Sequence, residues 1–413
     1  MPPMFDGIYA REFYLNKIRG FYRDDMIKVI TGVRRCGKSS FIKSVANDLE
    51  ASGVPAENII YMDLDAKQYL KITTPDALEK AIDERLGGVE GYKYLLIDEI
   101  QNVEGFEPLI NAYRGEGDIS VFLTGSNSYL LSGELTTKLT GRYIEIEMFP
   151  LNFYEYLELK RFFGKNVSET AEEFNQYIRY GGFPKTVEYD SPEDKELYIR
   201  DVIEQIIVKD IRKHKKIRNL SVFDRVMTYM INNYGATVNL TKILNYFRFE
   251  ENLKITQETL YGYIQLLENA KIIYKCPRFD LKSKKSLKGE QKYYLADPGI
   301  YFSRNADARV NYGPALENLV YTYLSAKGYS LSIGKIGKLE CDFIARKNND
   351  YCYAQVSMTI AERATEDREY ASLEMIPDNY PKYLFTLDPL LQRRNGIIHK
   401  NLADFMKKNE DLL

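Results

Sequence analysis

The chain has 413 residues, with 57 Lys and Arg against 59 Asp and Glu, for a formal net charge of −2. One hydrophobic core rarely grows that large, so about two to four domains are expected, and a composition 45% hydrophobic and 28% charged is ordinary for a soluble globular chain. The near-neutral balance excludes global attraction to nucleic acid or membrane, so any basic surface must be local.

The first third alternates short apolar runs with helical patterns. Strands are expected at 26–31 (MIKVIT), 58–64 (NIIYMDL), 94–98 (YLLID), 119–124 (ISVFLT) and 143–148 (YIEIEM). Helices are expected at 39–49 and 74–86. Strands alternating with helices imply βαβ units and a parallel sheet. From Asn152 the pattern turns helical, through 154–162 and 171–180. Tyr180-Gly181-Gly182-Phe183-Pro184 breaks it, and 197–208 resumes it. A basic stretch at 209–218 leads to three helical patterns, 222–233, 240–246 and 257–269. Two strand-like runs follow, 272–276 and 293–295, joined by a Lys-rich loop; three helices and a hairpin is the order of a winged helix. A helix at 316–326 then precedes strands at 329–333, 342–345, 351–356 and 382–386. The expected domains are 1–150, a P-loop core; 151–215, a helical lid; 216–312, the winged helix; and 313–413, a small α/β unit.

The four cysteines, Cys36, Cys276, Cys341 and Cys352, form no CxxC pair, and with only His214 and His399 a His-rich metal site is excluded. A reduced, cytoplasmic setting fits. No apolar run approaches the roughly 18 residues of a membrane helix, and MPPMFDGIYARE has neither half of a signal peptide.

The run Gly32-Val33-Arg34-Arg35-Cys36-Gly37-Lys38-Ser39 matches GxxxxGK[ST], after a strand and opening a helix. Two glycines permit a tight loop whose N–H groups face phosphate oxygens, and the helix aims its positive end there. Loop residues 32–39 and Ser40 are the expected ATP contacts, with Lys38 on the β- and γ-phosphates and Ser39 on Mg²⁺. Asp98, at the end of YLLID, is the expected second Mg²⁺ partner, and Glu99 the base that polarises water. In Leu123-Thr124-Gly125-Ser126-Asn127-Ser128, Asn127 either senses the γ-phosphate or caps a helix. Arg142, before the fifth strand, is either an arginine finger toward a neighbouring subunit or a surface residue.

GVRRCGKSS, LLIDEIQNV, LTGSNSYLLSGELTTKLTGRYIEIEMFPLNFYEYLEL and YGGFPKTV together resemble the bacterial and archaeal AAA+-type predicted ATPases that carry a C-terminal domain of uncharacterised function. The resemblance spans nearly the whole chain. It implies an α/β fold with an AAA+-like ATPase core, a winged helix and a C-terminal domain similar to restriction endonucleases. It also implies the arginine-finger role for Arg142, and hence a homo-oligomer. The endonuclease pattern needs a helical Glu, an Asp and then (E/Q)xK on the next strand. Glu317, Asp342 and Gln355 match it, but Ser357 stands where the lysine belongs, which argues for a degenerate domain. The presumed wing carries Arg278, Lys282, Lys284, Lys285, Lys288 and Lys292, a basic set suited to DNA phosphates. The leading expectation is an ATP-hydrolysing, DNA-associated motor or remodeller. The alternatives are an ATP-driven signalling or defence switch that assembles and binds a protein, and an ATP-dependent nuclease.

Overall fold

The computed structural model describes residues 3–125, 139, 141–212, 217–283, 285–305 and 312–413, with backbone alone at 287–290. Two units are distinguished: Met1–Met148 with Val208–His214, and Phe149–Ile207 with Lys215–Leu413.

In the first unit, β1 (Ile27–Gly32), β2 (Ile59–Asp63), β3 (Lys93–Asp98), β4 (Ile119–Thr124) and β5 (Tyr143–Met148) form one sheet in the order β2-β3-β4-β1-β5. Every pairing is parallel. Strands β1 and β4 are buried along their whole length. That is why they read as continuous apolar runs rather than as alternation, the mark of a parallel sheet covered on both faces. The helices are α1 (Glu12–Ile18), α2 (Lys38–Ala51), α3 (Pro75–Leu86) and α4 (Glu107–Gly115). Helix α3 starts where the sequence indicates: Pro75 opens it, and the Thr74 side chain accepts from the Ala77 N–H at 3.4 Å. Helix α4 was not expected; its Ile110 and Tyr113 join Leu78, Ile82, Leu95, Ile97, Val121 and Leu123 in the core on one face of the sheet. Because all five strands run the same way, the ends of β1, β3 and β4 share one edge, where open α/β sheets bind ligands.

The second unit begins with α5 (Phe153–Phe162), α6 (Thr170–Tyr180) and α7 (Pro192–Gln205). Asn152 and Glu155 form a reciprocal capping box at the start of α5. Helix α7 runs on into a widened helical turn, Ile206–Arg212, whose last residues belong with the first unit. Next come α8 (Leu220–Asn232), β6 (Thr237–Val238), α9 (Leu240–Asn245), α10 (Gln257–Asn269) and a hairpin of β7 (Ile273–Asp280) and β8 (Lys285–Leu295). The chain closes with α11 (Gly299–Arg304), α12 (Tyr312–Ala326), β9 (Ser330–Ile336), β10 (Leu339–Lys347), β11 (Asp350–Val356), α13 (Arg363–Glu374), β12 (Lys382–Thr386), β13 (Arg393–Arg394), β14 (Ile397–Asn401) and α14 (Leu402–Lys407).

The hairpin does not stand apart from the C-terminal strands. β7 pairs with β9 in parallel, so β13-β14-β12-β11-β10-β9-β7-β8-β6 is one sheet. The β7–β8 register shifts between Pro277 and Arg278, where proline has no N–H for the ladder. Among the described residues, no helix is long and apolar enough to cross a membrane.

Candidate nucleotide site

The loop that leaves β1 is shaped by residues with left-handed backbone. Gly32 has φ 139°, Gly37 φ 107° and Arg35 φ 67°. A Cβ on Gly32 would run into the Met148 carbonyl oxygen and Cys36 Sγ, so the packing of β1 against β5 itself requires glycine there. Cys36 is fully buried, and burial pushes its thiol pKa up. Arg11 Nη1 donates to the Cys36 carbonyl at 3.2 Å, tying α1's approach to the loop. Lys38 opens α2 and is buried. Its Nζ donates to the carbonyls of Gly32 at 2.9 Å and Val33 at 3.3 Å, which holds the ammonium inside the curve of the loop. Ser39 is half-buried and Ser40 exposed.

Asp98 ends β3 and is 1% exposed. Thr124 Oγ1, from the end of β4, donates to it; the Ser39 hydroxyl and Tyr61 OH bond it as well. Burial raises its pKa from 3.8 to about 6. The Thr124 and Ser39 hydrogen bonds pull the other way, while Glu99 and Asp63 push it further up. Glu99 follows with φ 59° and ψ 46°, a left-handed conformation rare for a side chain other than glycine or asparagine. Its N–H donates to Thr124 Oγ1 at 3.1 Å, and Gln101 Nε2 donates to its carboxylate. Thr124 therefore joins Asp98 to the backbone of Glu99. The structure thus gathers Lys38, Ser39, Asp98 and Glu99 at one edge of the sheet. In the sequence Thr124 is only the strand end before Asn127; Asn127 itself lies outside the described residues.

Arg34, a loop residue, is held by Asp210. Its Nη2 lies 2.9 Å from Asp210 Oδ1 and its Nε 3.1 Å from Oδ2. Asp210, the one acid in the basic stretch 209–218, is 5% exposed, whereas Lys209 and Arg212 beside it are exposed. Arg142 sits exposed immediately before β5. Parallel register pairs Ile27 with Tyr143 and Gly32 with Met148, which puts Arg142 at the opposite end of the strands from the loop. Six residues of strand span about 20 Å. Arg142 therefore does not reach the phosphate loop of its own chain.

In the second unit, Glu317 from α12, Asp342 from β10 and Gln355 from β11 do come together. The Asp342 N–H donates to Gln355 Oε1 at 3.2 Å. Lys292 Nζ lies 3.1 Å from Glu317 Oε2 and 3.9 Å from Asp342 Oδ1. This corrects the reading of a uniformly basic wing. Lys292 is buried and Arg278 bonds Glu340 at 2.9 Å, so both turn into the sheet's interior rather than toward solvent. Tyr293 and Tyr294 are buried with them. Lys282 and Lys285 are exposed, Lys284 lies outside the described residues, and only the backbone is described at Lys288.

A parallel five-stranded sheet with a glycine-built loop after β1 and a carboxylate at the end of β3 defines an AAA-type ATPase fold. Residues 24–157 match the family model described as AAA domain, and residues 171–307 match one described as Domain of unknown function (DUF8612). An uncharacterised protein of Haemophilus influenzae is 36% identical over 387 residues, 93% of this chain and 94% of its own length. An uncharacterised protein of Methanocaldococcus jannaschii is 30% identical over 367 residues, 86% of this chain and 80% of its own. The chain belongs to one family with these two proteins, and its residues 24–157 carry the AAA domain. Among solved structures, a Walker-type ATPase of Pyrococcus abyssi aligns with 71% of this chain and 95% of its own at 17% identity, with a TM-score of 0.49.

Proposed function

We propose that the chain binds ATP with Mg²⁺ in the loop 32–40 and hydrolyses it to ADP and phosphate. The observation that carries this reading is the hydrogen-bonded series Ser39–Asp98–Thr124–Glu99, which sets a hydroxyl, a buried carboxylate and a second acid beside a buried loop lysine. A hydroxyl and a carboxylate are hard oxygen donors, so Ser39 and Asp98 fit Mg²⁺. Lys38 would turn from the loop carbonyls to the β- and γ-phosphates. Glu99, one residue beyond the metal carboxylate and anchored through its own N–H, would orient and polarise water. With Arg142 at the far end of the strands, a finger role requires a second copy of the chain, so the active form would be a dimer or larger ring.

DNA is the partner we favour. The order α8-β6-α9-α10-β7-β8 is that of a winged helix, and exposed Lys282 and Lys285 flank the hairpin turn, with Lys284 and Lys288 in the same stretch. A switch that assembles on ATP and binds a protein is the competing reading; it predicts slow turnover and ATP-dependent oligomers without DNA. The test is steady-state ATP turnover with no DNA, single-stranded, duplex and branched DNA, together with particle size with and without ATP. Lys38→Ala should lose nucleotide binding or turnover, and Glu99→Gln should bind ATP without hydrolysing it. An active Glu99→Gln enzyme sinks the assigned base. Turnover indifferent to every DNA form, with no DNA bound at low salt, sinks the DNA role.

A further inference from the structure

The carboxylates of the C-terminal sheet have a partner that no motif announced. Lys292 rises from β8 on the same strand face as Tyr294, two residues on, and both meet Glu317 of α12: Lys292 Nζ at 3.1 Å and Tyr294 OH at 3.2 Å from Oε2. Lys292 Nζ is also 2.9 Å from Glu340 Oε1 and 3.9 Å from Asp342 Oδ1. One ammonium therefore faces three carboxylates. Lys292 and Asp342 are buried, each 6% exposed, while Glu317 and Glu340 are half-buried at the rim of the cluster.

The remaining oxygens are almost all committed. Asp342 Oδ2 accepts from the Val356 N–H at 2.9 Å, and Glu340 Oε2 from Arg278 at 2.9 Å. Gln355, the ligand expected beside Asp342, spends its oxygen on the Asp342 N–H and the Ser372 hydroxyl, each at 3.2 Å. Its amide donates to Glu369 at 2.8 Å. A hard dication needs several free carboxylate or carbonyl oxygens converging on one point. Here that point is taken by a fixed positive charge, with a guanidinium on its flank. Among the described residues, no group of three or more His, Cys, Asp or Glu is arranged to hold a metal ion. The Mg²⁺ that the endonuclease resemblance implies does not fit.

We infer that Lys292 is a built-in replacement for a divalent cation: Glu317, Glu340 and Asp342 form a cation cage closed by the protein's own ammonium, a cohesive element of the sheet rather than a nuclease centre. A buried charge of this kind persists only with its partners, and removing one partner leaves the others uncompensated. The three carboxylates are spaced around the ammonium rather than arranged for a metal, but they are hard oxygen donors that, relieved of Lys292, can close on a small dication. The inference thus has a positive consequence: truncating the lysine should create a metal site where none was.

The test uses the full chain and Mn²⁺ as the probe, read by electron paramagnetic resonance of free Mn²⁺ and by thermal unfolding with and without the ion. Lys292→Ala should gain about one Mn²⁺ per chain and be stabilised by it. The gain should vanish in Lys292→Ala/Asp342→Asn. The wild type and Lys292→Arg, which keep the cation, should show no Mn²⁺ binding that depends on Asp342. If Lys292→Ala is unfolded alone, recovery of its folded transition in Mn²⁺ supports the inference just as well. Failure of Lys292→Ala to take Mn²⁺, folded or not, overturns it. So does wild-type Mn²⁺ binding, or Mn²⁺-dependent plasmid cleavage, that Asp342→Asn abolishes.

Discussion

Arg34, half-buried, and Asp210, buried, 176 residues apart, form a two-pronged ion pair that ties the phosphate loop to the chain leaving α7. The pair draws on two other groups. Burial alone would lower the guanidinium's pKa, but the bond to Asp210 raises it, and Glu99 and Asp65 add to that pull. The segment Val208–His214 belongs with the ATPase unit, whereas the residues before and after it belong with the other. Asp210 is thus the point at which the chain, on its way between α7 and α8, is fastened to the loop.

A polyphosphate entering this loop would meet Asp210 as a like charge and Arg34 as an occupied donor. Asp210→Asn removes the charge and frees the guanidinium for bidentate contact with phosphate. Nucleotide affinity is expected to rise roughly tenfold, about 1.4 kcal/mol, while thermal stability falls because the pair has lost one member. Titration of a fluorescent ATP analogue and a melting curve measure both. Unchanged or weaker binding would show that Asp210 holds Arg34 in a productive pose rather than competing for it.

Asp98 titrates in a range that makes its cost measurable. Its folded pKa, about 6, lies above the ordinary 3.8, so the fold prefers the protonated form. The associated stability is complete below the ordinary value and is lost as pH rises through about 6. At pH 8 the protein therefore carries a buried charge costing roughly 3 kcal/mol before any ligand compensates it. Asp98→Asn should melt higher than wild type at pH 8, with the gain shrinking as pH falls toward 4, and should not hydrolyse ATP. A variant less stable than wild type at pH 8 would mean that its bonds to Ser39, Thr124 and Tyr61 outweigh desolvation.

The sheet and loop were legible for one physical reason. Parallel strands covered on both faces are unbroken apolar runs, and a phosphate loop is defined by local spacing. Hence the expected and observed limits coincide for β4 and β5 and differ by a residue at β1. What local pattern cannot show is the destination of a charged side chain. Lys292 and Arg278 look like solvent-facing wing residues, and Asp210 like the exception in a basic run; their burial is set by Glu317, Glu340 and Arg34, far away in sequence. For the same reason β8 was read only at 293–295. Ahead of that run, Lys285, Ser286, Leu287, Gln291 and Lys292 are held by pairing with β7 rather than by apolar content.

Thr124 closes an apolar strand ahead of the polar run 125–128, and in the sequence nothing sets it apart from Asn127. Its hydroxyl both donates to Asp98 and accepts from the Glu99 N–H. Thr124→Val keeps the volume and deletes both bonds. The half-buried Glu99 N–H then lacks its partner, at a cost of about 1 kcal/mol. The left-handed turn that aims Glu99 loses its tether. The hydrogen bond that lowers the Asp98 pKa also goes, so that pKa should move above 6. Expected outcomes are a fall in kcat of at least about tenfold, little change in ATP affinity, and an acid limb of the pH–rate profile shifted upward. A kcat near wild type would dismiss Thr124 as a positioning residue.

The YGGFP run, which looked like a simple helix breaker, is a site of close packing. Gly181 has φ 70°, and a Cβ there would collide with the Asp297 carboxylate; a Cβ on Gly182 would collide with the Leu151 carbonyl. The Gly182 N–H donates to Asp297 Oδ2 at 2.6 Å and the Gly299 N–H to Oδ1 at 2.8 Å. Leu151 N–H closes the knot on the Gly182 carbonyl at 2.7 Å. The atoms a Cβ on Gly182 would meet all belong to the Leu151 backbone, so Gly182→Ala must displace backbone, at a cost of roughly 3 kcal/mol or more. Gly262, within α10, has open space where a Cβ would stand. Gly262→Ala should instead raise stability by about 0.5–1 kcal/mol through helix propensity. Opposite shifts in the unfolding midpoint for these two substitutions are the expected result. A Gly182→Ala protein as stable as wild type would show that the turn can relax away from Leu151, and that the motif's glycines serve something other than packing.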